Sequence, residues 1–264
     1  MTTTELALGI DIGGTGTKGG LVDVASGQLV GKRFRLDTPR PATPGDVSDV
    51  VVSVAEHFEF DGPVGVAYPG VVLDGVARTA ANLDPSWIGT SLADTIGSRL
   101  SGPSIFINDA DAAGLAESHF GAGQGQQGVV VVVTFGTGIG VAVINHGELV
   151  ANSELGHLEI DGVDAEKAAS AAARERDGLS WKQWAARADR YLKTLENLVW
   201  PSLIILGGGI SKNPEKWVHL LSPRTPVVVA QSINNAGIVG AADAAWMHYR
   251  ADASQLVAHR AGTS

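Results

Sequence analysis

The stretch of this chain best suited to chemistry is a glycine-rich turn close to its N-terminal end. An apolar segment carries one carboxylate, Asp11, and then breaks into a turn that Lys18 follows. The turn consists of Gly13, Gly14, Thr15, Gly16 and Thr17. Glycines let backbone N–H groups approach an anion closely, threonine hydroxyls add donors, and a lysine adds a charge that suits phosphate. The pattern indicates a phosphate-binding hairpin, and an ordinary glycine-rich hairpin is the alternative.

The carboxylate of Asp11 suits a cation better than an anion. Next to a phosphate loop it is badly placed to bind phosphate directly, but well placed to hold Mg²⁺ or a water molecule of its hydration shell. We therefore expect Asp11 to bind Mg²⁺, through water.

A second glycine–threonine turn lies in the middle of the chain. Residues 129–143 again read as strand, turn and strand. The candidate phosphate ligands there are Thr134, Gly136, Thr137, Gly138 and Gly140. Two such hairpins suggest a duplicated unit, each half offering a phosphate loop. A third glycine run, Gly207, Gly208 and Gly209, follows the buried strand predicted at 203–206.

Polar side chains at the end of a predicted strand are candidates for catalysis. Asn108 and Asp109 follow the apolar strand 104–107 and precede a predicted helix at 110–119. Ligands of open α/β sheets bind at the carboxyl ends of strands, so a catalytic role is open to this pair. Asp109 could instead serve only as the N-cap of the following helix.

Two further segments carry groups that could bind a sugar. Asn82, in the loop 79–90, offers donors and acceptors that suit hydroxyl groups, although turn formation explains it equally well. Glu154 and His157 flank Leu155-Gly156 and could converge on one ligand in an irregular turn.

Composition excludes several classes of protein. The 264 residues could form one large domain or two small ones, and 44% of them are hydrophobic. The net charge of −9 argues against a nucleic-acid partner, and no apolar run reaches membrane-spanning length. Cysteine is absent, which excludes disulfides and thiolate metal sites and fits a cytoplasmic location. The sequence fits either a homodimer or a monomer.

Hydrophobic periodicity predicts strands alternating with helices, which indicates an α/β fold. Asp46 is the predicted N-cap of the helix at 46–58. The other helices are expected at 91–100, 110–119, 165–175, 180–200 and 236–249. The aromatic and leucine stripe of helix 180–200 is most simply a core or subunit contact.

Together the motifs resemble the ROK family of sugar kinases and repressors, over nearly the whole chain. The resemblance rests on Asp11 to Lys18, Thr134 to Gly140, Asn108-Asp109, Glu154-x-Gly156-His157 and Gly207 to Gly209. It implies a two-lobed actin/hexokinase-like (ribonuclease H-like) α/β fold, with duplicated mixed sheets flanked by helices. The expected small domain is 1–109, with the C-terminal helix of about 248–264 as a possible addition, and 110–247 is the large domain.

The resemblance also implies roles for the candidate residues. Asp109 would be the general base that activates the sugar 6-hydroxyl, and both hairpins together with the 207–209 glycines would bind the phosphates and nucleotide. The implied sugar ligands are Gly70, Asn82, Asn108, Asp109, Glu154, His157 and Glu166. Glu159 is the rival to Glu166. Many family members hold zinc in a cysteine-rich loop after the Gly-His, but this chain has no cysteine, so no zinc is expected.

Within the family, residues 79–89 and 177–181 resemble those of the polyphosphate glucokinases, including polyphosphate/ATP glucomannokinases. The implied substrates are glucose or mannose, with inorganic polyphosphate, ATP or both as donor. Residues 166–193 hold seven basic and four acidic residues, a local charge of +3, which suits a polyphosphate track or a solvated helix face. The basic residues are Lys167, Arg174, Arg176, Lys182, Arg187, Arg190 and Lys193, and Lys212 with Lys216 offers an alternative track. The alternatives are a strictly ATP-dependent glucokinase and a non-catalytic sugar-binding protein. A repressor is not expected, since only Met1 to Glu5 precede the first strand.

Overall fold

A computed structural model of the chain describes residues 5–232 and 235–261, with side chains described up to residue 254. The chain divides into two compact units. The first unit comprises the described residues up to Ala112 and those from Gly237 onward, and the second comprises Ala113–Ala236. Each unit contains one five-stranded sheet.

The sheet of the first unit combines an antiparallel hairpin with two parallel strands. In chain order its elements are β1 (Leu6–Ile12), β2 (Gly16–Asp23), β3 (Gln28–Asp37), α1 (Pro44–Glu56), β4 (Val64–Tyr68), the short strands β5 (Val72–Leu73) and β6 (Val76–Ala77), α2 (Leu92–Thr95) and β7 (Ser104–Asn108). The sheet order is β3-β2-β1-β4-β7; β1, β2 and β3 are antiparallel, whereas β4 and β7 run parallel to β1. This arrangement brings the β1–β2 turn and the carboxyl end of β7 to the same end of the sheet.

Helix α1 covers one face of this sheet. Val47, Val51 and Val54 pack onto residues of β1, including Ile10 and Ile12, in one buried cluster. Burial of apolar side chains of this size contributes roughly 1.5–3 kcal/mol each, so this cluster stabilises the unit strongly.

The start of α1 differs from the prediction. The N-cap is Thr43, whose hydroxyl accepts a hydrogen bond from the N–H of Asp46, and Pro44 opens the helix. Asp46 therefore lies inside the first turn, where its charge suits the helix dipole. A threonine followed three residues later by a carboxylate was the capping signal in the sequence.

Helix α3 (Asp109–Phe120) follows β7 directly, and the second unit repeats the design of the first. Its elements are β8 (Val129–Phe135), β9 (Ile139–Asn145), β10 (Glu148–Val150), β11 (Glu159–Ile160), β12 (Val163–Asp164), α4 (Ala165–Ala169), α5 (Ala171–Arg176), α6 (Trp181–Val199), β13 (Leu203–Gly207) and β14 (Val227–Val229). The sheet order is β10-β9-β8-β13-β14, again with three antiparallel strands followed by two parallel ones. The duplicated unit that the two hairpins predicted, and the duplicated mixed sheets that the resemblance implied, are confirmed.

An aromatic cluster forms the centre of the second unit. Trp184 and Tyr191 of α6 are fully buried, and their rings lie 5.4 and 6.2 Å from the ring of Phe135 on β8. Trp217 lies edge-on to Trp184, with ring centroids 4.9 Å apart. The stripe predicted on helix 180–200 is therefore core, apart from the half-buried Trp181.

Three predicted helices have different bounds. The helix expected at 165–175 is divided at Ser170, which has an extended backbone and caps α5 through a hydrogen bond from the N–H of Ala173. The helix expected at 91–100 is the four-residue α2 followed by a 3-10 turn at Gly97–Arg99. The last helix, α7 (Ala236–Ala261), extends beyond the predicted residue 249.

Helix α7 belongs to the first unit and lies against the sheet face opposite α1. Its backbone approaches the strands so closely that a Cβ atom on Gly9 would lie 1.9 Å from the carbonyl oxygen of Ile238, and one on Gly65 would lie 1.8 Å from that of Ala241. Only glycine permits this contact, because any side chain would push the helix off the sheet. Within residues 5–232 and 235–261, none of the helices combines the length and the apolar character needed to cross a membrane.

Candidate active site

The first glycine turn is a tight connection between β1 and β2. The N–H of Gly13 donates to the carbonyl of Gly16 at 3.2 Å, and the hydroxyl of Thr38 donates to the carbonyl of Gly13 at 2.6 Å. Thr15 is exposed at the tip, and Gly14 is partly exposed beside it. The turn therefore presents backbone and one hydroxyl group to solvent, as a phosphate loop requires.

Asp11 and Lys18 lie opposite each other on β1 and β2 and form an ion pair of 2.9 Å. Their side chains are 15% and 29% exposed, so the pair is accessible on one side. The lysine is thus held next to the turn, and Asp11 keeps a carboxylate oxygen outside the ion pair.

Thr17 differs from the prediction that it binds phosphate. It is paired with Ile12 and Leu36 across the sheet, which places it on the face that α1 covers. Its side chain is fully buried, and its hydroxyl has no hydrogen-bond partner among the described residues. Because alternate residues of a strand face opposite sides, the side chains of Lys18 and Thr17 point to opposite faces of the sheet, and we leave the Thr17 hydroxyl out of the proposed site.

The Asn108–Asp109 pair divides its tasks between the two residues. The side-chain oxygen of Asn108 accepts the N–H groups of Ala110 and Asp111 at 2.8 and 3.0 Å, which is the N-cap pattern for α3. Its amide nitrogen donates to the carbonyl of Gly70 at 3.0 Å. Asn108 is buried, whereas Asp109 is exposed at the first position of the helix. The carboxylate of Asp109 also accepts the N–H of Ala110, at 2.8 Å, so the two residues share the capping role and Asn108 adds the bond from Asp111.

The loop carrying Asn82 lies beside the first glycine turn. Asn82 is exposed and has a left-handed backbone (φ 60°), and a Cβ atom on Gly14 would lie 3.3 Å from the Cβ of Asn82. Gly70 precedes this loop in the chain and has a φ of +156°. A Cβ atom on Gly70 would lie 2.7 Å from the carbonyl oxygen of Thr79. The first unit therefore gathers the phosphate turn, Asn82, Gly70 and the Asn108–Asp109 pair.

In the second unit, the second and third glycine segments meet at the end of two neighbouring strands. Gly207 is paired with Thr134, since β13 and β8 are parallel. The hydroxyl of Thr134 donates to the carbonyl of Gly140 at 3.3 Å, and the N–H of Gly136 donates to that of Gly138 at 2.9 Å. Both segments lie at the carboxyl ends of their strands, where ligands of such sheets bind. The exposed residue of the second turn is Thr137, and Gly208 precedes a 3-10 turn that begins at Gly209.

Glu166 lies against the second glycine turn. One of its carboxylate oxygens accepts the N–H of Ile139 at 2.9 Å. A Cβ atom on Gly138 would lie 2.2 Å from the same oxygen. Its rival Glu159 is exposed on β11, where it is paired with Asp164. Of the two glutamates, only Glu166 has a described contact with the turn.

His157 lies in a small acidic cluster. Its Nδ1 is 3.1 Å from a carboxylate oxygen of Asp164, and its Nε2 is 3.7 Å from one of Glu154. The hydrogen bond to Asp164 raises the pKa of His157 above 6.5, although partial burial opposes this. Burial alone would raise the pKa of Asp164, but the hydrogen bond and charge of His157, together with the backbone N–H groups of Glu166 and Lys167, lower it. The imidazole is therefore biased towards its protonated form, as a hydrogen-bond donor at both nitrogens.

Three residues that contact these sites were not predicted from the sequence. Arg35 lies on β3 and Thr38 directly follows that strand. Both side chains donate hydrogen bonds to carbonyl groups of the first turn. Asp164 orients His157 and caps α4 through the N–H of Glu166. An aspartate directly before a helix was a visible signal for Asp164. The register that brings Arg35 to the turn had no signal in a single sequence.

The basic segment is largely neutralised by ion pairs. Arg187 binds Asp177 at 2.7 Å, Lys193 binds Asp189 at 2.9 Å, and Arg190 binds Asp161. Arg176 also binds Asp177, at 2.8 Å. Most of the cations predicted to follow a polyphosphate chain are thus already paired with acids.

Several cations of the predicted tracks lie outside these ion pairs, among them Lys182, Lys212, Arg174 and Lys216. Arg174 lies 4.0 Å above the ring of Trp181, and the ammonium of Lys216 is 5.6 Å from that ring. Neither forms an ion pair with a carboxylate among residues 5–232 and 235–254. Across the same residues, no group of three or more His, Asp or Glu side chains is arranged to hold a metal ion.

Comparison with known proteins identifies relatives of the whole chain. The sequence profile of the ROK family matches residues 7–172. A polyphosphate glucokinase of Mycobacterium tuberculosis is 54% identical over 242 residues, 91% of each protein. The structure of an inorganic polyphosphate/ATP-glucomannokinase from Arthrobacter sp. strain KM superimposes with a TM-score of 0.88 at 51% identity, covering 92% of this chain and 99% of that one. A ROK family glucokinase from Streptomyces griseus, in complex with glucose and AMPPNP, gives a TM-score of 0.77 at 27% identity over 91% and 99% of the chains.

Proposed function

Because the chain belongs to the ROK family, we propose that it is a sugar kinase that transfers a phosphoryl group from inorganic polyphosphate or ATP to the 6-hydroxyl of glucose. Polyphosphate as donor is supported by the 54% and 51% identity to enzymes named for its use. ATP is supported by the second of these names and by the related glucokinase that binds AMPPNP.

The observation that carries the proposal is the exposed carboxylate of Asp109 beside a helix cap that Asn108 supplies. A carboxylate in this position can accept the proton of the sugar hydroxyl as the hydroxyl oxygen attacks the terminal phosphorus. The bond from that phosphorus to the donor's bridging oxygen breaks, and the shortened donor leaves. A positioned general base accelerates such a step by roughly 10²–10⁴-fold.

The donor would be held by the two glycine turns. Backbone N–H groups, the hydroxyls of Thr15 and Thr137 and the ammonium of Lys18 would stabilise the charge on the transferred phosphoryl group. A Mg²⁺ ion would neutralise further charge on the donor when bound. Asp11 would hold this ion through water, which fits a cation that keeps several waters and takes one or two carboxylates together with phosphates.

Polar groups of each unit are proposed as ligands of the sugar. Asn82, Gly70 and Asn108 are proposed for the first unit, and Glu154, His157 and Glu166 for the second. Mannose is a proposed second acceptor, supported by the glucomannokinase relative. It differs from glucose at the 2-hydroxyl alone, so the hydrogen bonds to that group decide the selectivity. We place the reaction in the cytoplasm, since ATP is an intracellular compound.

The test is a coupled assay that crosses ATP and long-chain polyphosphate with glucose and mannose. We expect glucose 6-phosphate from both donors, and a lower rate with mannose. Product from ATP alone would identify a strictly ATP-dependent glucokinase. Tight glucose binding without product from either donor would identify a sugar-binding protein and overturn the proposal.

A further inference from the structure

Arg35 lies next to the first glycine turn, on strand β3, which contributes no residue to the proposed reaction. On β3 it is paired directly with Lys18 of β2, which is in turn paired with Asp11 of β1. Residues paired in this way lie on one face of a sheet, so all three side chains share the face away from α1. Arg35 is half-exposed there.

The guanidinium of Arg35 makes two hydrogen bonds at once. Its Nη2 donates to the carbonyl oxygen of Thr15 at 2.9 Å, and its Nη1 donates to a carboxylate oxygen of Asp37 at 2.7 Å. Arginine suits this arrangement because its planar fork presents several donors in a fixed geometry. Asp37 therefore orients the guanidinium, and the guanidinium contacts the turn.

The turn is shaped to receive this side chain. A Cβ atom on Gly16 would lie 2.4 Å from both Nε and Nη2 of Arg35. The absence of a side chain at residue 16 is thus what allows the guanidinium to reach the carbonyl of Thr15. Gly16 has no positive φ, and the contact with Arg35 leaves no room for a side chain there.

The carbonyl groups of the turn are held on one side. Arg35 binds the carbonyl of Thr15, which also accepts the backbone N–H of Thr38 at 3.4 Å, and the hydroxyl of Thr38 binds the carbonyl of Gly13. In a planar trans peptide the N–H points opposite to the carbonyl of the preceding residue. Fixing these two carbonyls towards the end of β3 therefore fixes the direction of the N–H groups that follow them, those of Gly14 and Gly16.

We infer that Arg35 is a positioning residue for the donor phosphate: by holding the Thr15 carbonyl, it orients the backbone N–H groups of the first turn. The inference rests on the proposed kinase function. It concerns the donor alone, because the proposed sugar ligands are other residues.

The test compares Arg35→Ala with the control Lys32→Ala, which removes one positive charge from the same strand. We expect Arg35→Ala to raise the KM for ATP and for polyphosphate by about tenfold and to leave the KM for glucose unchanged. Arg35→Lys retains the charge but not the fork, and we expect it to recover less than half of the loss. An unchanged donor KM in Arg35→Ala, or full recovery by lysine, would overturn the inference.

A double-mutant cycle with Gly16→Ala gives a second readout. The added methyl group should displace the guanidinium, so Gly16→Ala should raise the donor KM in the wild-type background and add little in the Arg35→Ala background. Additive effects would contradict the proposed contact. A wild-type protein without phosphotransfer would overturn the kinase function itself, whereas an active wild type with unaffected variants would overturn the role of Arg35 alone.

Discussion

The carboxylate of Glu166 accepts a hydrogen bond from the backbone N–H of Ile139, with 2.9 Å between the two atoms. Ile139 is the first residue of β9, directly after the second glycine turn. Glu166, which is proposed to bind the sugar, is thus hydrogen-bonded to the residue that follows the turn proposed to bind the donor. This contact separates Glu166 from Glu159, which is exposed on β11.

We expect Glu166→Gln to change the ratio of kcat/KM for glucose over mannose by roughly three- to tenfold, since the amide oxygen can still accept the N–H of Ile139 while the charge offered to the sugar is lost. Glu159→Gln is the matched control and should leave the ratio unchanged. Steady-state kinetics with both sugars measure this. A larger change in the Glu159 variant would show that the wrong glutamate has been assigned to the sugar.

Asp109→Asn should lower kcat by roughly 10²-fold or more, because the amide cannot accept the proton of the hydroxyl. Glucose binding, measured by calorimetry, should change little. A loss of less than tenfold in kcat would exclude Asp109 as the general base.

Asn108→Ala serves as the structural counterpart of that variant. It removes the side-chain oxygen that accepts the N–H groups of Ala110 and Asp111, and loss of an N-cap costs about 0.5–2 kcal/mol. We expect a lower Tm for Asn108→Ala and an unchanged Tm for Asp109→Asn. Equal destabilisation by both variants would contradict the division of roles between the two residues.

The titration of His157 should depend on Asp164. An NMR titration should give a pKa above 6.5 for the folded protein, and Asp164→Asn should lower this pKa while keeping a side chain able to cap α4. Because folding raises the pKa, the contribution of the protonated pair to stability is full below pH 6.5 and is lost as pH rises through the folded-state pKa. The Tm advantage of the wild type over Asp164→Asn should therefore be larger at pH 5.5 than at pH 8.5. A pKa at or below 6.5 would contradict this account.

Long polyphosphate should depend on the cations that have no carboxylate partner. We expect Arg174→Ala and Lys216→Ala to raise the KM for long-chain polyphosphate several-fold and the KM for ATP less. Because salt screens exposed charges, the difference between wild type and variants should shrink as the salt concentration rises. Arg187→Ala is the control, because its guanidinium already binds Asp177 and the carbonyl of Ala168. A larger increase in this KM for Arg187→Ala than for Arg174→Ala would indicate that polyphosphate binds along the exposed face of α6.

The duplicated sheets and most elements could be predicted from the sequence, because each depends on local patterns. The β1–β2 and β8–β9 hairpins carry alternating or continuous apolar runs around glycine turns, which specify strands regardless of context. The Asn108–Asp109 pair was recognised because it follows an apolar strand. Helix boundaries were less accurate: Ser170 interrupts a helix through its own side-chain cap, which helical periodicity does not indicate.

Contacts that depend on strand register were not predictable from one sequence. The burial of Thr17 follows from its pairing with Ile12 and Leu36, and a shift of one residue would have exposed it. The same register brings Arg35 to the turn. The acidic partners of Arg187 and Arg190 come from neighbouring segments, so the local charge of the sequence overstated the positive surface.

The close contact of α7 with Gly9 and Gly65 has a consequence for biosynthesis. Residues 237 onward complete the first unit, yet the ribosome makes them after the whole second unit. Domains generally fold as units during synthesis, at about 5–20 residues per second. The second unit can therefore fold first, while the sheet face that carries Gly9 and Gly65 stays uncovered until α7 leaves the ribosome. We therefore expect the first unit to complete its fold after the second.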